Sequence, residues 1–305
     1  GTQAPKPQDV VIEHELFACT GIGGLGFDSA SNLQIFQGTF NGNGHTITLG
    51  IGEPYGMRGD NAIAPNDASA GNGKIYRHSR LGLFAAIGGS TANNQIATVN
   101  NLTVDGVMKF DNGLAVDAGS LAATVTGNAA LSGVTCKSKI TCDDTFGNDV
   151  NIGGIAGSMT GAGTVSFDSS DTSGSTKARA TVKTGATLNG NTRIGGAVGY
   201  VADVVAIVNV ASLEVSDAIA SENAITAGDS ASKKIAQIGG FIGRIAQGSQ
   251  EKHVSITGLT FNSFNMSVGK NGDAKNGAGG LLGYSWGNTV VTIVDSNKNT
   301  SDSTY

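Results

Sequence analysis

A short glycine-rich phrase returns six times along this chain and limits its architecture more than any other feature. It reads LGLFAAIG from Leu81, AGSLAATV from Ala118, IGGIAGSM from Ile152, IGGAVGYV from Ile194, IGGFIGRI from Ile238 and AGGLLGYS from Ala278. Successive starts lie 37, 34, 42, 44 and 40 residues apart. A period in this range marks a solenoid, propeller or array, in which each unit buries its apolar face only against its neighbours. The repeat predicts a single elongated domain over residues 17–305. Residues 1–16 are expected to form a tether or cap, with Pro5 and Pro7 stiffening the chain.

Each repeat reads as strand, turn, strand. Fifteen to 20 residues after the phrase start stands a second landmark, Asn101, Gly133, Asp168, Asn209, Gly258 or Asp295. Asn, Asp and Gly adopt positive φ most readily, so the chain is expected to turn a tight corner at each, with Asn101, Gly133, Asn209 and Gly258 stacked in one column. Runs such as Val254–Ile256 and Thr260–Phe264 flank them, rich in the residues that favour pleated structure. No stretch carries a capped amphipathic helical period. With 47 glycines and only 14% charged residues, the chain suits a turn-rich all-β fold with a narrow aliphatic core. In such a stack Gly153, Gly195, Gly239 and Gly279 are expected to share a column.

Three cysteines, Cys19, Cys136 and Cys142, have no metal-binding spacing. In VTCKSKITC the residues Val134, Cys136, Ser138, Ile140 and Cys142 alternate with Thr135, Lys137, Lys139 and Thr141, the pattern of a strand with one buried face. Six residues of strand extend about 20 Å, so Cys136 and Cys142 are read as buried free thiols rather than a disulfide, unless the strand breaks between them.

Upstream of the repeats, FQGTFNGNGHTITLGI runs from Phe36 to Ile51, followed by GLFAAI from Gly82 and VNNLTVDG from Val99 to Gly106. This order resembles the GLUG-motif proteins of bacterial surfaces, whose phrase is F-x-G-T-F-D-G-N-G-H-x-I, then G-L-F-G, an N-L-x-V strand and repeated G-G-L-V-G phrases. The resemblance covers about Phe36 to Ser285. Asn41 stands where Asp is commoner, and Ala85 where the second Gly of GLFG would be. The resemblance implies a right-handed parallel β-helix, here of about six to eight irregular coils. It also implies a place in secreted adhesin-like proteins or in accessory regions of IgA-cleaving metallopeptidases. The peptidase itself is not implied, because H-E-x-x-H is missing: after His14-Glu15 the position of the second His is Ala18.

A net charge of −5, with 19 Lys and Arg scattered along the chain, argues against a nucleic-acid or anionic-membrane partner. No apolar run is long enough for a membrane-spanning helix. The opening Gly1-Thr2-Gln3 reads as a trimmed start, so a removed secretion signal, an extracellular or cell-surface location and a larger parent chain are expected. The histidines His14, His45, His78 and His253 share no ligand spacing, and no serine-based triad can be picked out, since Ser is abundant. No metal or cofactor is expected.

The best acidic cluster is Asp143, Asp144 and Asp149 in CDDTFGNDV, read first as a solvated turn. It would become a polysaccharide-cleaving site only with an Arg or Lys beside it, for which Lys137 and Lys139 on the outward face of the preceding strand are the candidates. The insertion at 52–80 is read as a long surface loop suited to recognition. It holds Arg58-Gly59-Asp60, which resembles an integrin-recognition tripeptide, together with Tyr55 and Tyr76. These residues and Trp286 are the candidate contacts to a host or matrix glycan or protein. The sequence thus favours a non-catalytic adhesin-like or structural binding module. The alternative is a carbohydrate-active β-helix that binds or cleaves a polysaccharide.

Overall fold

The computed structural model describes residues 10–11, 16–18, 35–51, 78–110, 115–142, 149–161, 163–168, 176–184, 191–202, 207–210, 213–220, 236–246, 252–267, 277–287 and 289–293. Within them the fold is all-β. It consists of three sheets whose strand pairings are parallel, and no described residue is helical. Each glycine phrase supplies one strand to each of two six-stranded sheets. The opening sheet contains His78–Leu81, Ala115–Gly119, Val150–Gly153, Thr192–Gly195, Ala236–Gly239 and Gly277–Gly279. The closing sheet contains Phe84–Ile87, Ala122–Thr126, Ala156–Thr160, Val198–Val201, Ile242–Ile245 and Leu282–Ser285. Both sheets follow chain order, so each strand bonds to the strands one repeat before and one repeat after it.

The expected glycine column is present in register: Gly119, Gly153, Gly195, Gly239 and Gly279 pair in succession. At Gly195 the cause is steric. A β-carbon there would overlap the carbonyl of Val198 in its own phrase and lie 2.7 Å from the carbonyl oxygen of Phe241 in the next. Gly199 serves the closing sheet in the same way, since its β-carbon would stand 2.5 Å from the Ile152 nitrogen. Glycine thus lets two sheets lie backbone against backbone. The first phrase is one residue shorter than the rest: Leu81 pairs with Ala118, whereas Phe84 already pairs with Ala122.

The remaining strands form a 15-stranded sheet. One column through it reads Phe40, Val99, Leu131, Phe167, Val210, Ile256 and Ile293. Up to Ile256 it meets the Ile152, Ile194 and Ile238 column of the opening sheet in one apolar core, whereas Ile293 is exposed. Aromatic contacts mark two places in that core. Phe36, Phe40 and Phe84 cluster with centroids 5.1 to 6.1 Å apart, and Phe167 meets Phe241 at 6.3 Å.

The corner column holds only in part. Asn101 and Gly133 stand opposite each other with φ of 51° and 59°, flanked by the pairs Asn100–Ser132 and Leu102–Val134. The chain does not stop there: Ala97–Phe110 is one strand through Asn101. Asn209 belongs to a different column, paired with Ser166 and Ser255 inside strands. A variable number of residues separates the phrase from the corner, so a landmark chosen by residue type alone falls on a strand residue in that repeat. Asp295 lies outside the described residues. Residues 78–80, assigned to the surface loop from sequence, are part of a sheet strand that pairs with Ala115–Ala118.

The NGNGH segment is a turn that docks onto this sheet. Asn43 and Gly44 have φ of 50° and 77°, the Asn43 amide donates to Asn41 Oδ1 at 2.8 Å, and Gly44 N–H donates to the Asn101 carbonyl at 2.8 Å. His45 acts through its backbone, donating to the Gly42 carbonyl at 2.8 Å.

The burial alternation in VTCKSKITC is as expected, but the strand breaks at Lys137 and Ser138, between Ala129–Cys136 and Lys139–Cys142. Val134, Cys136, Ser138 and Ile140 are buried, while Lys137 and Lys139 are exposed. Cys136 is a free thiol, and burial pushes its pKa far above the ordinary thiol range. Cys136 is therefore expected to escape maleimide labelling at pH 8 in the folded protein and to react once urea unfolds it. Peptide mass mapping reads this directly, and native labelling of Cys136 would show that this face opens.

Candidate functional site

The residue just before each phrase and the residue seven positions later, six in the shorter first phrase, form two facing columns. The opening sheet presents Arg80, Asp117, Asn151, Arg193, Gln237 and Gly277 in register. The closing sheet presents Ala86, Thr124, Ser158, Tyr200, Arg244 and Tyr284. The phrase turns back within two or three residues, so the two columns meet and polar side chains fill the seam between the sheets.

At one end of the seam Asp117, 5% exposed, accepts three hydrogen bonds. They come from Asn151 Nδ2 at 2.7 Å, Ser158 Oγ at 3.0 Å and Thr124 Oγ1 at 3.3 Å. Charge-assisted bonds of this kind offset the cost of removing a carboxylate from water. Ser158 and Thr124 hydroxyls also lie 3.2 Å apart. In the middle, Arg193 donates to Asn151 Oδ1 and to Asp149 Oδ2, both at 2.9 Å, while Asn191 Nδ2 donates to Asp149 Oδ1 at 2.7 Å. The Arg193 guanidinium lies 4.5 Å from the centroid of the Tyr200 ring.

At the far end stands Arg244, with Tyr200 and Tyr284 rings 6.0 and 5.9 Å from its guanidinium. Burial, and next the nearby charge of Arg193, lower its pKa. Arg244 makes no ion pair with a described residue, and its buried Nε has no hydrogen-bond partner.

The candidate residues named from sequence fare unevenly. Arg58, Gly59, Asp60, Tyr55 and Tyr76 lie outside the described residues, as do Asp143 and Asp144. Asp149 is described, and a cation does stand beside it. That cation is Arg193, 44 residues further along, rather than Lys137 or Lys139. Lys137 instead faces Asp105 at 3.4 Å. Trp286 is exposed. Among the described residues no group of three or more His, Cys, Asp or Glu converges as a metal site, and no helix is long and apolar enough to cross a membrane.

The seam itself was missed from sequence. Its columns change residue type from each repeat to the next, so no one letter marks them; the signal that would find it is the near-constant spacing of seven residues across the glycine turn. The chain matches no protein-family model, no curated protein and no solved structure.

Proposed function

We propose that this chain is a right-handed parallel β-helix of the GLUG-motif kind and serves as a non-catalytic, adhesin-like binding module on a bacterial surface or in a secreted protein. Support for the architecture comes from the three parallel sheets, two of which receive their strands in chain order. Parallel crossovers within one sheet are right-handed in about 98% of cases.

The observation that carries the functional reading is the engagement of the seam carboxylates with neighbouring repeats. Asp117 is held by three donors and Asp149 by Arg193 and Asn191. Such carboxylates set the spacing of repeats; a general acid or base instead needs a tuned group in reach of a reacting atom. The ligand is a glycan or protein of a host or matrix surface.

The test is a glycan and matrix-protein array probed with the intact chain and with a variant lacking Gly52–Tyr76. Spots bound by the intact chain and weakened at least tenfold in the deletion variant are expected, with unchanged far-ultraviolet circular dichroism. Release of reducing ends from pectin or mucin glycans, abolished by Asp149→Ala, would replace this reading with the polysaccharide-cleaving one.

A further inference from the structure

We infer that Arg244, with Tyr200 and Tyr284 on either side of it, forms a binding site for a carboxylate-bearing sugar chain. This rests on the binding-module reading and names the ligand class for a site separate from the 52–80 segment.

The first observation is charge. Burial, and next the nearby charge of Arg193, weigh against the charged Arg244 guanidinium, yet the described carboxylate whose charge reaches it, Asp149, is engaged by Arg193 and Asn191. Arg244 is half-buried and makes no ion pair with a described residue. Protein charges withdrawn from water are ordinarily paired, so an unpaired guanidinium here has its fork available to an external acid.

Access is the second observation. In the opening sheet the column beside Arg244 runs from Gln237 to Gly277, which contributes no side chain to cover the last repeat. Tyr284 is half-buried and Ser285 exposed, so the site borders solvent.

Third, the neighbours suit a sugar. Tyr200, Arg244 and Tyr284 pair in register on adjacent strands, about 4.8 Å per step. Neither tyrosine hydroxyl bonds to a described residue, and neither is a buried unpaired atom. Each hydroxyl can both donate and accept, which matches the hydroxyls of a sugar ring. The guanidinium fork matches the planar carboxylate of a uronic acid in a way that a lysine would not.

Binding is measured by calorimetry on the intact chain with a galacturonate hexasaccharide, the same hexasaccharide fully methyl-esterified, and hexaglutamate. The acidic sugar is expected to bind. Methyl esterification or Arg244→Gln should each weaken binding at least tenfold, Tyr200→Phe and Tyr284→Phe severalfold, and Arg244→Lys less than Arg244→Gln. Melting temperatures confirm that the variants fold. No binding of the galacturonate, equal binding by Arg244→Gln, or hexaglutamate binding as tightly as the sugar would each overturn the site. If any of these occurs while the array still shows bound spots, this site fails and the binding-module reading stands. An array with no bound spots removes that reading as well.

Discussion

Gly195→Val is expected to destabilise the fold by about 4 kcal/mol or more, at the severe end of single substitutions. A β-carbon at 195 meets backbone on two sides, at Val198 within its phrase and at Phe241 in the next, and neither is the movable end of a side chain. Relief would require the Phe241 turn to shift, yet that turn is itself fixed by the amides of Ala197 and Val198, which donate to the Phe241 carbonyl at 3.1 and 3.0 Å. Gly280→Val supplies the control, because a β-carbon there meets nothing within 4 Å. It should change stability by no more than about 0.5 kcal/mol. Urea unfolding monitored by circular dichroism compares the two, and equal midpoints would remove the steric account of the glycine column.

The second large effect is expected at Asp117. Asp117→Ala leaves Asn151 Nδ2, Ser158 Oγ and Thr124 Oγ1 without their shared acceptor inside a seam closed to water, a loss of about 3 kcal/mol. Asp117→Asn retains the shape and one acceptor oxygen, so a smaller loss of about 1 to 2 kcal/mol is expected. Combining Asp117→Ala with Ser158→Ala should cost less than the two singles added together, because the serine is left unsatisfied only while it remains. Additive losses in that double-mutant cycle, or an Asp117→Ala variant as stable as the parent chain, would show that the seam does not bind the repeats together.

The parts of the fold that could be read from sequence are those where one residue type is demanded by geometry. Gly153, Gly195, Gly239 and Gly279 recur because no other side chain fits between two backbones, so their letters announce the register directly. The alternation around Cys136 is visible for a similar reason, since a strand has a fixed period of two. Corners tolerate more than one residue and a variable approach, and Asn209 was mistaken for one while it sits within a strand. The polar seam hid for the opposite reason to the glycines. Its positions demand complementarity between neighbours rather than a constant residue, so Asp117, Asn151 and Arg193 occupy one column with three different chemistries. Asp149 drew notice as an acid near other acids in sequence, and its partner Arg193 belongs to the following repeat.

The parallel, chain-ordered pairing of the two six-stranded sheets has a mechanical meaning. Each of their strands is gripped by its immediate predecessor and successor, and no strand in these sheets reaches across several repeats to clamp distant ones. Tension applied at the Leu282–Ser285 edge therefore meets one repeat's bonds at a time instead of loading the whole molecule at once. Every repeat that peels away frees about 40 residues of thread, roughly 130 to 140 Å when drawn straight. The repeats left behind keep their own contacts, so the molecule yields under load by lengthening in steps, as a ratcheted tether does.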